Sequence, residues 1–201
     1  MDYRKNGLYK GEYSFTPSVM HGQIKPVPIN IERFHYVELL WPKGESETEA
    51  ALRNHWVILE MDTELIFENH FHIESLNKKD LNSKLSTAGY SPQFNNNSED
   101  LTYSINDCRI HKTVYNDQVA MHDCDSSYGD SGAPIYKCDK EGFCQIFALH
   151  IGFLNGYVEN ESFTEHFSNY AVTTNGIHKH VKYLLHGGVK PSELKSVDNI
   201  Y

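Results

Sequence analysis

The residues best suited to chemistry lie in the stretch Cys124-Asp125-Ser126-Ser127-Tyr128-Gly129-Asp130-Ser131-Gly132-Ala133-Pro134. A serine hydroxyl that attacks a carbonyl needs backbone N–H donors aimed at the oxygen that becomes negative. Glycine on either side allows this, because Gly129 can take backbone angles closed to other residues, turning its own N–H and that of Ser131 toward one small anion hole while Ser131 Oγ faces a substrate. Gly132-Ala133-Pro134 then leads the chain into an apolar run. Asp, Ser and Gly are also ordinary turn residues, so the same tetrapeptide is compatible with a polar surface turn.

Other pieces of the chain stand in a fixed order around this turn. They are Asp107-Cys108-Arg109-Ile110, His122-Asp123-Cys124-Asp125, Ala148-Leu149-His150-Ile151-Gly152 and Asn169-Tyr170-Ala171-Val172. With the Ser131 loop they resemble the trypsin-like (chymotrypsin-fold) serine proteases, closest to the secreted bacterial branch that includes glutamyl endopeptidases. The resemblance implies an all-β fold of two antiparallel β-barrels, the first truncated, with a short C-terminal helix. It also implies peptide-bond hydrolysis through Ser131 as nucleophile, an oxyanion hole from Gly129 and Ser131, and no cofactor or metal. The partner is then a peptide or protein, as substrate or as ligand.

The same resemblance exposes two departures. Tyr13-Ser14-Phe15-Thr16-Pro17 is similar to the family's Phe-x-Pro-Gly segment, which follows the catalytic histidine, and no Ala-His-Cys motif is present. Met1 is therefore expected to fall just past that histidine, with the first strands of the first barrel missing. Arg53-Asn54-His55-Trp56-Val57-Ile58-Leu59 resembles the family's Asn-Asp-Trp-Ala-Leu-Leu segment, and His55 stands where the orienting Asp belongs. A neutral ring there does not stabilise an imidazolium as a carboxylate does. Two readings follow: an endopeptidase whose N-terminal part is lost from this sequence and which is inactive as it stands, or a non-catalytic homologue that keeps the fold as a secreted binding module.

For the specificity pocket the resemblance gives two conflicting residues. Asp125 lies where enzymes that prefer Arg or Lys carry an acid, and His150 lies where glutamyl endopeptidases carry the histidine that binds a Glu carboxylate. Both also have structural readings, as a loop hydrogen-bonder and a packed ring. Family resemblance and loop length favour disulfides Cys108–Cys124 and Cys138–Cys144, the second closing a loop with Glu141-Gly142 at its tip. Four cysteines allow three connectivities, or four reduced thiols. If they pair, a secreted or periplasmic location follows. Met1-Asp2-Tyr3-Arg4-Lys5 is followed by no apolar core, so no secretory signal is read there. Asn96 and Asn160 have the form of glycosylation acceptors.

The elements that must position these residues read as short strands. Tyr, Phe, Val, Ile and Thr occur in brief runs between Gly, Pro, Asn, Asp and Ser clusters, in a chain of 201 residues, enough for one large domain or two small barrels. Apolar runs fall short of the roughly 20 residues that span a bilayer, which argues against a membrane. A formal net charge of -9 opposes nucleic acid. A strand region is expected over 29–41 with Ile29, Ile31, Phe34, Tyr36 and Leu39 as apolar surface, and a buried strand after Trp56. The polar stretch 77–86 is read as the linker between a first unit, 1–80, and a second, 81–201. Ala88-Gly89-Tyr90-Ser91 resembles the family's Gly-Tyr-Pro turn. Further strands are expected at 101–110, 112–116, 119–122, 133–137, 144–152 and 170–173. A helix is expected over 176–186, with Ile177, Val181, Leu184 and Leu185 on one face and Gly187-Gly188 as its stop. His70 and His72 share a strand face; with His178 and His180 they support a third reading, a metal-binding secreted domain.

Overall fold

In the computed structural model the described residues are 14–15, 29–37, 51–64, 71–90, 102–153, 163–164 and 168–198. They form a mostly β structure with two sheets, helical turns at 51–53 and 78–80, and a helix of 13 residues. The strands are β1 (Ser14–Phe15), β2 (Ile29–Val37), β3 (Val57–Met61), β4 (His72–Ile73), β5 (Leu85–Tyr90), β6 (Thr102–Cys108), β7 (Ile110–Val114), β8 (Val119–His122), β9 (Pro134–Cys138), β10 (Cys144–Phe153), β11 (Asn169–Thr173) and β12 (Leu194–Asp198); the helix α1 is Thr174–His186.

The larger sheet runs β6-β5-β9-β10-β11-β8-β7, with β4 added parallel to β10. All its other ladders are antiparallel. Its outermost strands β6 and β7 are consecutive in sequence and separated only by Arg109. One bent segment therefore serves both ends of the path, and the sheet curls into a half-barrel. Asp107 makes the corner with a φ of 67°. The inside of the curl is filled by Leu85, Ile110, Ala120, Ile135, Phe147, Ala148 and Ala171.

Because strand side chains alternate, β10 and β11 each serve two cores. Ala148 and Ala171 point into the curl, while Leu149 and Val172 join a second core with Trp56, Ile177 and Leu194. That second core lies between α1, the larger sheet and the smaller one. In the smaller sheet β2 is central, flanked by β1, β3 and β12, all antiparallel. Ile31 and Phe34 are buried, whereas Ile29 and Tyr36 are half-buried; Leu39 lies outside the described residues.

Helix α1 begins at Thr174 and ends where Gly187, at φ 71°, donates its N–H to Tyr183 O at 2.8 Å. Ile177, Val181 and Leu184 face the core, but Leu185, expected on the same face, is 71% exposed. One residue on from Leu184 is a rotation of about 100°, enough to leave the packed stripe. Residues 88–90, expected as a turn, continue β5 in pairing with β6. Within the stretch read as a linker, residues 78–80 form one turn of 3-10 helix, capped by Asn77 N–H donating to Asp80 Oδ2. Strand β12 had no sequence-based expectation.

Candidate active site

The serine turn is held from below by a short set of side chains. Cys108 and Cys124 are disulfide-bonded and buried, joining the end of β6 to the segment after β8. Between them Asp123 accepts the Arg109 N–H on Oδ1 at 2.5 Å and meets His111 Nε2 with Oδ2 at 2.7 Å. Asn169 Nδ2 donates to Cys124 O at 2.7 Å. The chain thus leaves β8 at a fixed point.

The turn itself closes on Asp130. Its carboxylate, 2% exposed, accepts the Ser127 N–H at 2.5 Å, and its own N–H donates to Ser127 O. Gly129 has φ 104° and Gly132 φ 95°, values that strain any side chain, and a Cβ added at Gly132 would meet nothing within 4 Å. Glycine at 132 is therefore required by backbone angle and not by crowding. Gly132 N–H donates to His150 O at 2.7 Å and His150 N–H to Ala133 O at 2.8 Å, which fastens the turn to β10. Ser131 is left exposed. Among the described residues nothing accepts the N–H of Gly129 or Ser131, the two donors expected of an oxyanion hole, and no histidine ring hydrogen-bonds Ser131 Oγ.

The expected specificity residues are placed very differently. Asp125 is exposed, whereas His150 is 3% exposed on β10 beneath the turn. His150 Nδ1 meets His122 Nε2 at 3.1 Å, with the rings edge to face. His122 also accepts the Cys124 N–H on Nδ1 at 3.2 Å. The two histidines stand on β8 and β10, either side of β11, paired with Asn169 and Ala171 in register. The small side chain of Ala171 leaves room for the rings to meet over the intervening strand. Burial pushes the His150 pKa down to about 4, with a smaller opposing pull from Asp130. His122 is lowered well below its ordinary value by burial first and by the neighbouring rings of His150 and His111 next. His122 as the partner of His150 was not foreseen, since no local spacing links positions two strands apart.

His55 lies just before β3 and is exposed, while the next residue, Trp56, is buried against the ring of His180 at 4.9 Å between centroids. The histidines considered for a metal are dispersed. His72 stacks on Phe143, His178 is exposed, His180 is buried against Trp56, and His70 lies outside the described residues. Among the described residues no three His, Cys, Asp or Glu side chains cluster as metal ligands would. Cys138 and Cys144 are disulfide-bonded across the β9–β10 hairpin, whose loop includes Gly142 at φ 85°. Two disulfides suit an oxidising compartment, and no helix among the described residues is long and apolar enough to cross a membrane. Asn96 and Asn160 lie outside the described residues. No known protein family matches this chain, and no curated protein matches it.

Proposed function

We propose that this chain has the trypsin-like serine protease fold, its larger sheet corresponding to the second barrel, and that Ser131 occupies the position of a peptidase nucleophile. One observation carries the reading: an exposed serine sits between two glycines of positive φ, above a buried Asp130, with the N–H groups of Gly129 and Ser131 unclaimed among the described residues. Such donors stabilise the oxyanion of acyl transfer. Among the described residues no histidine stands on Ser131 as its base. With His55 exposed and no described ring on Ser131, hydrolysis rests on the oxyanion donors and substrate binding alone, a loss of turnover on the order of 10⁴ to 10⁶.

The second reading is a secreted, non-catalytic homologue that uses the same cleft to hold a peptide. The lack of a base among the described residues favours it as much as it favours a crippled enzyme. In either case we take His150 over Asp125 as the specificity residue, because its backbone is bonded to the turn at both Gly132 and Ala133; His150 would meet an acidic side chain of the peptide, where Asp125 would meet a basic one.

The test is reaction of the folded protein with a fluorophosphonate, mapped by peptide mass, with Ser131→Ala as control. Slow, sub-stoichiometric labelling of Ser131 is expected. Rapid stoichiometric labelling at Ser131 would show an activated nucleophile there and defeat the inactive reading. A peptide-library profile, read as binding or as cleavage, is expected to favour Glu or Asp; a preference for Arg or Lys would transfer the specificity role to Asp125.

A further inference from the structure

The smaller sheet brings a second serine, a histidine and a carboxylate together by strand register alone. His35 lies within β2, opposite Ser196 of β12. Glu60 of β3 lies opposite Arg33 and is thereby diagonal to His35, a separation that long side chains bridge. His35 Nε2 meets Glu60 Oε2 at 2.9 Å, and His35 Nδ1 meets Ser196 Oγ at 2.8 Å. Arg33 Nη1 donates to the same Glu60 oxygen at 3.2 Å. The ring is 4% exposed, while Ser196 is exposed and the Glu60 side chain is 43% exposed.

The protons follow from the partners. An ionised carboxylate only accepts, so with His35 neutral its Nε2 carries the hydrogen and donates to Glu60. The lone pair then lies on Nδ1, and the Ser196 hydroxyl donates to it. Nucleophile, base and orienting acid are thus in one chain of hydrogen bonds. The ring is turned end for end relative to the usual triad, where Nε2 faces the serine. That reversal changes which ring edge is buried but not the proton balance.

We propose that Ser196, His35 and Glu60 form a second hydrolytic centre, independent of Ser131, that takes acyl groups from small carboxylic esters. Ser196 Oγ attacks the ester carbonyl and its proton passes to His35 Nδ1. The C–O bond to the alcohol breaks, and the departing alkoxide takes that proton from His35. Water then attacks the acyl-serine, giving a proton to Nδ1, and Ser196 recovers it as the carboxylic acid leaves. Glu60 is a positioning residue, holding the tautomer and the imidazolium. Among the described residues β12 is an edge strand, so alternate N–H groups along it point away from β2 and are the donors available to the oxyanion. These are fewer than a peptidase supplies, which favours an ester, with its better leaving group, over an amide. Val37 and Leu194, the next pair in register, pack into the second core and hold the His35–Ser196 pair in place from that side.

The experiment treats the folded, full chain with p-nitrophenyl acetate and, separately, with a fluorophosphonate, and maps the modified serine by peptide mass. A burst of nitrophenol and a label on Ser196 are expected in the unaltered protein and in Ser131→Ala. Ser196→Ala leaves His35 Nδ1 unpaired and should lower the melting temperature by a few degrees, yet remain folded and lose the label. His35→Gln should slow acylation about 100-fold or more, as for loss of a general base. Glu60→Gln should lower kcat for acylation while leaving KM for the ester nearly unchanged, a split that a purely structural role would not produce. Absence of label at Ser196 in the folded protein overturns the proposal, as does a burst that survives Ser196→Ala; if the His35→Gln variant fails to fold, these two outcomes and the kcat-against-KM split of Glu60→Gln still decide. Label confined to Ser131 refutes this centre while leaving the Ser131 reading standing.

Discussion

A histidine ring removed from water holds its proton poorly, and a second ring beside it weakens the hold further. His150 and His122 are such a pair, and both are neutral near pH 7. In the unfolded chain each takes up a proton near the ordinary value of 6.5, but folded His150 does so only near 4. The unfolded state therefore binds more protons between these values, so folding is favoured fully above about pH 6.5 and is weakened as pH falls toward 4. For His150 alone the loss is about 3 kcal/mol over that window. His122 acts in the same direction. Urea midpoints measured from pH 7 to pH 4.5 are expected to fall steadily, and the fall should be shallower in His150→Gln. A stability that is flat over this range, or equally steep in the variant, would show that the rings are not buried as a neutral pair. At this scale the site was partly legible. The glycines around Ser131 announce a turn with positive φ, and the structure has one. His35, Glu60 and Ser196 announce nothing, because Ser196 is 161 positions from His35 and only strand pairing makes them neighbours.

Elements carry their signals unevenly. Strands such as β8, buried along its whole length, are continuous apolar runs that a sequence reveals, and α1 shows its 3.6-residue stripe. Strand β12 reads Leu-Lys-Ser-Val-Asp and has no such signal; it is extended because β2 offers it a partner. The same contrast appears inside α1. Ile177 is 5% exposed in the second core, and Leu185, equally apolar, is 71% exposed. Ile177→Ala should cost about 2 to 4 kcal/mol, the range for a buried aliphatic truncation, whereas Leu185→Ala should stay within about 0.5 kcal/mol. Denaturant unfolding of the two variants checks both numbers together. Equal effects would mean that α1 does not pack through the 177-181-184 stripe.

The whole molecule is joined at that second core. The larger sheet has its own interior and the buried Cys108–Cys124 disulfide, but the smaller sheet meets it through Trp56 and Leu194, set against Val172 and Ile177. The chain leaves α1, turns at Gly187-Gly188, and comes back to the smaller sheet as β12, pairing there with its central strand β2. Lys179 on α1 and Glu193, in the turn just before β12, form an ion pair beside His180, in line with the lowered Glu193 pKa. That pair is half exposed and contributes little; Leu194, at 2% exposure, does more. Leu194→Ala is expected to cost about 2 to 5 kcal/mol. A chain ending at Val189 loses the whole strand, opens the edge of β2 and uncovers the face of Trp56 now held between Leu194 and the helix. The chain has two tryptophans, so in a Trp41→Phe background the emission reports Trp56 alone. In that background the truncated chain should emit at longer wavelength than the full one and bind a hydrophobic dye, while the Cys108–Cys124 disulfide stays oxidised in the curled sheet. Unshifted emission with an unchanged melting temperature would mean that β12 merely decorates the smaller sheet, and that Trp56 is buried by α1 and the larger sheet without it.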